Sequence, residues 1–85
     1  MLRVISVKPL DDFRLELRFS SGEKRVFDCR PYLDKGIFTE LKDVSYFRSV
    51  RVAFGSVAWP HEQDFSPETL YLESVETTTG TTAVG

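Results

Sequence analysis

Two sequence patterns and one change of period predict an α+β domain. A small antiparallel sheet comes first, as a three-stranded meander. Short helices follow, then a further strand pair and a short C-terminal helix. Phe13 to Phe19 alternates apolar and charged residues, the period-two signature of a half-buried strand. Between Phe38 and Phe47, apolar residues instead recur at every third position, which suits helical turns with one face on a sheet. Near the end, Ser66-Pro67-Glu68 offers a hydroxyl cap, a proline in the first turn and an acid close behind, all favourable at a helix start.

In chain order, Val4 to Val7 is a β-branched run that Pro9 stops, and Asp11-Asp12 suits a turn. Phe13, Leu15, Leu17 and Phe19 then face the core, with Arg14, Glu16 and Arg18 towards water. Gly22, which tolerates positive φ, turns the chain into Lys24–Phe27 and completes the meander. Pro31 and Gly36 bracket a single helical turn. The stripe Phe38, Leu41, Val44 and Phe47 follows, divided by Asp43 as a cap. Val50, Val52 and Phe54 alternate with Arg51 and Ala53 as a fourth strand, and Gly55-Ser56 leads to a fifth, Val57–Trp59, halted by Pro60. Leu70-Tyr71-Leu72 brings the last helix back to the body. The 85 residues suffice for one domain, assigned to residues 1–75, since domains usually span about 50 to 250 residues. Residues 76–85 are small, polar and nearly free of charge, and read as a disordered tail.

Composition removes several classes. Eleven Lys and Arg against 13 Asp and Glu leave a net charge of −2, which argues against a strongly basic nucleic-acid binder. No apolar run approaches the roughly 20 residues of a membrane span. Arg3, Lys8, Asp11 and Asp12 interrupt what would be the apolar stretch of an export signal. The single Cys29 forbids an internal disulfide and fits the reducing cytoplasm. A chain this short has a thin core. Seven Phe, three Tyr and one Trp therefore carry much of its burial.

Chemistry-bearing groups are few. Cys29, His61 and Asp64 could make a thiol nucleophile with its base, but Asp28 beside the cysteine raises a thiol pKa instead of lowering it. His61, Glu62 and Asp64 are potential metal ligands, yet this is the only His and the spacing matches no metal motif. The isolated glycines spell no phosphate loop. The expectation is no catalytic residue, no metal and no cofactor. Arg14, Arg18, Lys24 and Arg25 form a candidate basic face. Glu16 sits among them, the usual look of a solvated surface, which disfavours nucleic acid and leaves an acidic protein able to dock. Trp59 and Pro60 end the fifth strand, and with His61 and Tyr71 form the candidate interaction surface. In a thin core the only Trp is more often structural than a contact. An exposed edge strand leaves pairing with a second copy open.

Phe27-Asp28, Pro31-Tyr32-Leu33, Gly36-Ile37-Phe38, Leu41-Lys42-Asp43 and Phe47 resemble the middle of the family catalogued as domain of unknown function 2442. Val57-Ala58-Trp59-Pro60, then Asp64, Pro67 and Leu70-Tyr71, resemble its closing signature, and the likeness runs from about Val4 to Ser74. The family often has Gly between the Trp-Pro pair and the Asp, where this chain has His61-Glu62-Gln63. The resemblance implies a small bacterial α+β domain with no established activity. Some relatives carry a helix-turn-helix domain, for which the chain to Gly85 leaves no room. Others are encoded beside a second short protein. The expectation is a cytoplasmic, non-enzymatic protein-interaction or regulatory module with a small protein partner, the antitoxin-like half of a two-protein system. The alternative is a ligand-sensing or nucleic-acid-associated transcriptional regulator lacking its own DNA-binding half.

Overall fold

A computed structural model describes residues 2–77. The α+β class holds, with two antiparallel sheets in place of one. Strands β1 (Val4–Leu10), β2 (Arg14–Phe19) and β3 (Lys24–Asp28) form the expected meander. A two-residue strand, β7 (Val75–Glu76), adds itself to β3 and completes the order β1-β2-β3-β7. The second sheet has the order β4-β5-β6, from Arg51–Ala53, Ser56–Ala58 and Asp64–Phe65.

Alternation sets the first sheet's two faces. Leu15, Leu17, Phe19 and Phe27 are buried, and Val4 joins them opposite Phe19. A register shift between Val4 and Ser6 leaves Ile5 exposed, the local effect of a bulge at a sheet edge. Pro9 does not stop β1 but lies within it, opposite Leu15. It is tolerated because β1 is an edge strand and needs no amide hydrogen bond on its open side. Phe13 is not the first strand residue either. It sits in the turn at φ 59, with its ring 5.4 Å from that of Phe47.

The middle segment is wound more tightly than an α-helix. Arg30–Tyr32 and Gly36–Lys42 are 3-10 helices, and only Val44–Phe47, α1, is α-helical. A spacing of three matches the three residues per turn of a 3-10 helix, which places Phe38 and Leu41 inward. The geometry changes at Asp43, whose carboxylate accepts hydrogen bonds from the Ser45 and Tyr46 amides. Val44 is thereby turned out to solvent, while Phe47 stays buried.

Helix α2 (Pro67–Glu73) starts as the sequence predicts. The Ser66 hydroxyl accepts from the Thr69 amide at 3.1 Å, and Leu70 is fully buried. Leu72 is exposed instead of packed. Residues 76 and 77, read as the start of a disordered tail, are ordered instead: Glu76 pairs with Arg25, and the Thr77 amide donates to the Lys24 carbonyl at 2.8 Å. Residues 78–85, the rest of that reading, lie outside the described residues.

Between the sheets the rings make one connected chain. Phe65 contacts Phe27, Tyr32, Phe38 and Trp59 at centroid distances of 5.0, 5.0, 4.8 and 6.1 Å. Trp59 continues to Phe47 at 6.1 Å. The indole is 1% exposed, and its N–H donates to the Phe47 carbonyl at 2.9 Å. Trp59→Ala is expected to remove about 3–5 kcal/mol, a large share of the roughly 5–15 kcal/mol that holds a domain folded. Urea denaturation followed by far-ultraviolet circular dichroism measures it, and Trp59→Phe should keep most of the stability.

Candidate functional site

The richest polar cluster in the described structure is built around the loop that joins β5 to β6. The Trp59 amide donates to the Gln63 carbonyl, and the Glu62 amide to the Trp59 carbonyl, both at 3.0 Å. These bonds close a tight loop whose Glu62 adopts φ 76. Gln63 is buried at its base and fully engaged. Its amide donates to the Ile37 carbonyl at 2.9 Å and to Glu40 at 3.0 Å, and its oxygen accepts from the Tyr46 hydroxyl at 2.6 Å. A buried amide left unpaired would cost about 1–3 kcal/mol, so these partners fix where the loop can sit.

His61 is held on two sides. Its backbone N–H donates to the Tyr46 hydroxyl at 2.8 Å, and its Nδ1 lies 2.6 Å from a Glu40 carboxylate oxygen. The imidazole also stacks on Tyr46, centroids 5.1 Å apart. A carboxylate only accepts, so Nδ1 carries the hydrogen, and Nε2 has no protein partner among the described residues. The side chain nonetheless remains 65% exposed, with Ile37 and Pro60 exposed nearby in the cluster. An imidazole oriented by a carboxylate is the arrangement of a general base, and equally that of a rigid recognition side chain.

Cys29 does not supply it with a thiolate. Cys29 is buried, and burial with the Asp28 charge pushes its thiol up to about 12. No group of three metal-ligating side chains is found among the described residues. The Cys29–His61–Asp64 trio is therefore not a thiolate centre. Asp64 points from the outer face of the second sheet, in register with Ala58.

The sequence-derived surface divides in three. Trp59 is core and presents nothing to solvent, while Pro60 and His61 are exposed. Tyr71 belongs elsewhere. Its hydroxyl donates to Glu23 at 3.1 Å, its ring meets Phe19 edge-on at 5.3 Å, and the Arg25 guanidinium lies 4.3 Å above it. Hydrogen bonds from Ser21 and then Tyr71 hold the Glu23 carboxyl below its usual range.

The basic face loses one member. Arg14, Arg18 and Lys24 share the outer face of the first sheet, as the pairs Arg14↔Asp28 and Arg18↔Lys24 require. Arg25 pairs with Leu17 and lies on the core side. There it donates to the Ser74 hydroxyl and carbonyl, at 2.7 and 2.9 Å, and to Glu23 at 3.1 Å. It ties β3 to the end of α2 and is not free to bind anything. Lys24 in turn is 3.4 Å from Glu16, and Arg30 is 2.9 Å from Asp28. The face is a mixture of signs.

The Tyr32 phenol, donating to Glu73 and half-buried, is likewise pushed up to about 12. Both groups are neutral when folded, and their unfolded values are about 8.5 for Cys and about 10 for Tyr. Their contribution is thus complete below about pH 8.5 and is lost as pH rises towards 12. At pH 8 a thiol-reactive dye should label Cys29 only as fast as the chain opens, and faster with added denaturant. Rapid labelling of the native protein would contradict its burial.

A family model described as protein of unknown function, DUF2442, matches residues 4–76. No curated protein and no solved structure matches the chain.

Proposed function

We propose that this chain, which belongs to the DUF2442 family, is a non-enzymatic protein-interaction module, the regulatory or antitoxin-like half of a two-protein bacterial system in the cytoplasm. The observation that carries the reading is the β5–β6 loop. It presents Pro60 and His61 to solvent while a buried amide, a tyrosine hydroxyl and a carboxylate hold it in one conformation. Fixing a side chain before binding avoids about 0.5–1.5 kcal/mol of ordering cost per residue. Ile37, 62% exposed, supplies an apolar neighbour through the same cluster. Together they make a small recognition patch of imidazole, proline ring and branched alkyl group. A small protein presenting a hydroxyl or an amide N–H to the accepting Nε2 beside an apolar pocket suits this chemistry.

A second reading, the nucleic-acid-associated regulator, rests on Arg14, Arg18 and Lys24 sharing one sheet face with Lys8. Its affinity would fall steeply with salt, by a slope of about −0.7 to −0.9 per phosphate contacted.

The test is capture on the tagged full chain from its native organism at moderate salt, beside His61→Ala and Ile37→Asp variants of unchanged melting temperature. The interaction reading predicts one stoichiometric small protein, lost from both variants. Nucleic acid released by salt supports the second reading. Equal capture by all three proteins, or by none, refutes the patch.

A further inference from the structure

The outer face of the second sheet is self-complementary, and we propose that it docks a second copy of this chain about a twofold axis. Arg51, Ala58 and Asp64 form one cross-strand row, since Arg51 pairs with Ala58 and Ala58 with Asp64. The two charges stand on one face, two strand spacings of about 4.8 Å apart, with only a methyl group between them. Neither side chain has an ion-pair or hydrogen-bond partner among the described residues. Both are exposed. A twofold axis through Ala58 sets Arg51 of each copy over Asp64 of the other. A self-matching patch of this kind is what an isologous interface requires. Ala53 and Ala58 floor the face, and their short side chains let two sheets approach closely.

Phe54 supplies the apolar anchor. It forms the β4–β5 turn with Gly55, at φ 52 and 75, the type I′ geometry that favours Asn-Gly. A bulky L-residue in that region costs about 1–2 kcal/mol, and asparagine would serve the turn better. The ring gains nothing inside the molecule in return, for it is fully exposed. Two open hollows flank it on the same face. One of about 410 Å³ is lined by Arg51, Ala58, Pro60, Glu62 and Asp64, and one of about 270 Å³ by Ser56, Ser66 and Pro67. In the twofold pair, each Phe54 ring enters a hollow of the other copy and removes roughly 150–250 Å² of ring surface from water. Strands of two and three residues make a face smaller than the roughly 800 Å² per partner of a standard interface, so the dimer is concentration-dependent. This docking goes beyond the partner reading and involves neither His61 nor Ile37.

Sedimentation of the full chain across low to high micromolar concentration tests it. The wild type is expected to pass from monomer to dimer. Phe54→Asn should raise the dissociation constant roughly tenfold or more while its melting temperature stays level or rises, which separates lost docking from lost folding. Arg51→Asp and Asp64→Arg should each be monomeric, an equimolar mixture of the two should dimerise, and the double variant should recover the dimer. A wild type that remains monomeric overturns the proposal, including one that instead captures a different protein through Phe54. So does a dimer indifferent to Phe54→Asn, or a mixture of the two charge variants that fails to pair.

Discussion

The burial of one ring, Phe65, holds the molecule together as a unit. It belongs to a two-residue strand that hydrogen bonding alone could not secure, yet four segments meet on it. Phe27 comes from β3, Tyr32 and Phe38 from the 3-10 helices Arg30–Tyr32 and Gly36–Lys42, and Trp59 from the end of β5. Aromatic pairs contribute about 0.5–1.5 kcal/mol each beyond the area they bury, and here four such contacts share one residue. The Ser56 hydroxyl donates to the Phe65 carbonyl and locks the strand from its other side. Without this junction each sheet would present an apolar face to water, in a chain too small to cover it otherwise.

The polar groups are arranged around that junction. Gln63, two residues before Phe65 and just ahead of β6, is carried into the interior beside it and must find partners there. Ile37, Glu40 and Tyr46 supply them, and the exposed His61 is oriented as a consequence. Arg25 does comparable work at the opposite end, where its guanidinium joins Ser74 and Glu23 beneath the Tyr71 ring. Stability and presentation are therefore divided: rings and buried amides set the frame, and the side chains on the β4–β5 turn and the β5–β6 loop remain available for contacts.

The elements legible in sequence are those long enough to show a period. β2 declares itself by alternation along all six of its residues, and α2 by its Ser-Pro-Glu start. β6 and β7, two residues each, have no period to display. The third-residue spacing from Phe38 to Phe47 is ambiguous between helix types, and the chain takes the 3-10 form over Gly36–Lys42 and the α form over Val44–Phe47. In β4 alternation misleads. Val52 stays 38% exposed and Phe54 leaves the strand for the turn, because pattern reading does not see that the hairpin closes one residue early. Arg25 was within reach of parity: Phe27 faces the core, so the residue two positions before it must as well. Glu40, Tyr46 and Gln63 were not within reach. Their meeting depends on three separate segments folding onto Phe65, and nothing local in the sequence encodes it.

If the Phe65 junction makes both sheets one cooperative unit, their amides must open together. Native-state hydrogen exchange across low denaturant concentrations measures this directly, comparing Leu17 in β2 with Val57 in β5, both fully buried. The prediction is that both exchange through the same opening, with the free energy and denaturant dependence of global unfolding. Exchange of Val57 through a smaller and cheaper opening, while Leu17 stays protected, would mean that the second sheet is a separable appendage and that Phe65 is not what unites the fold.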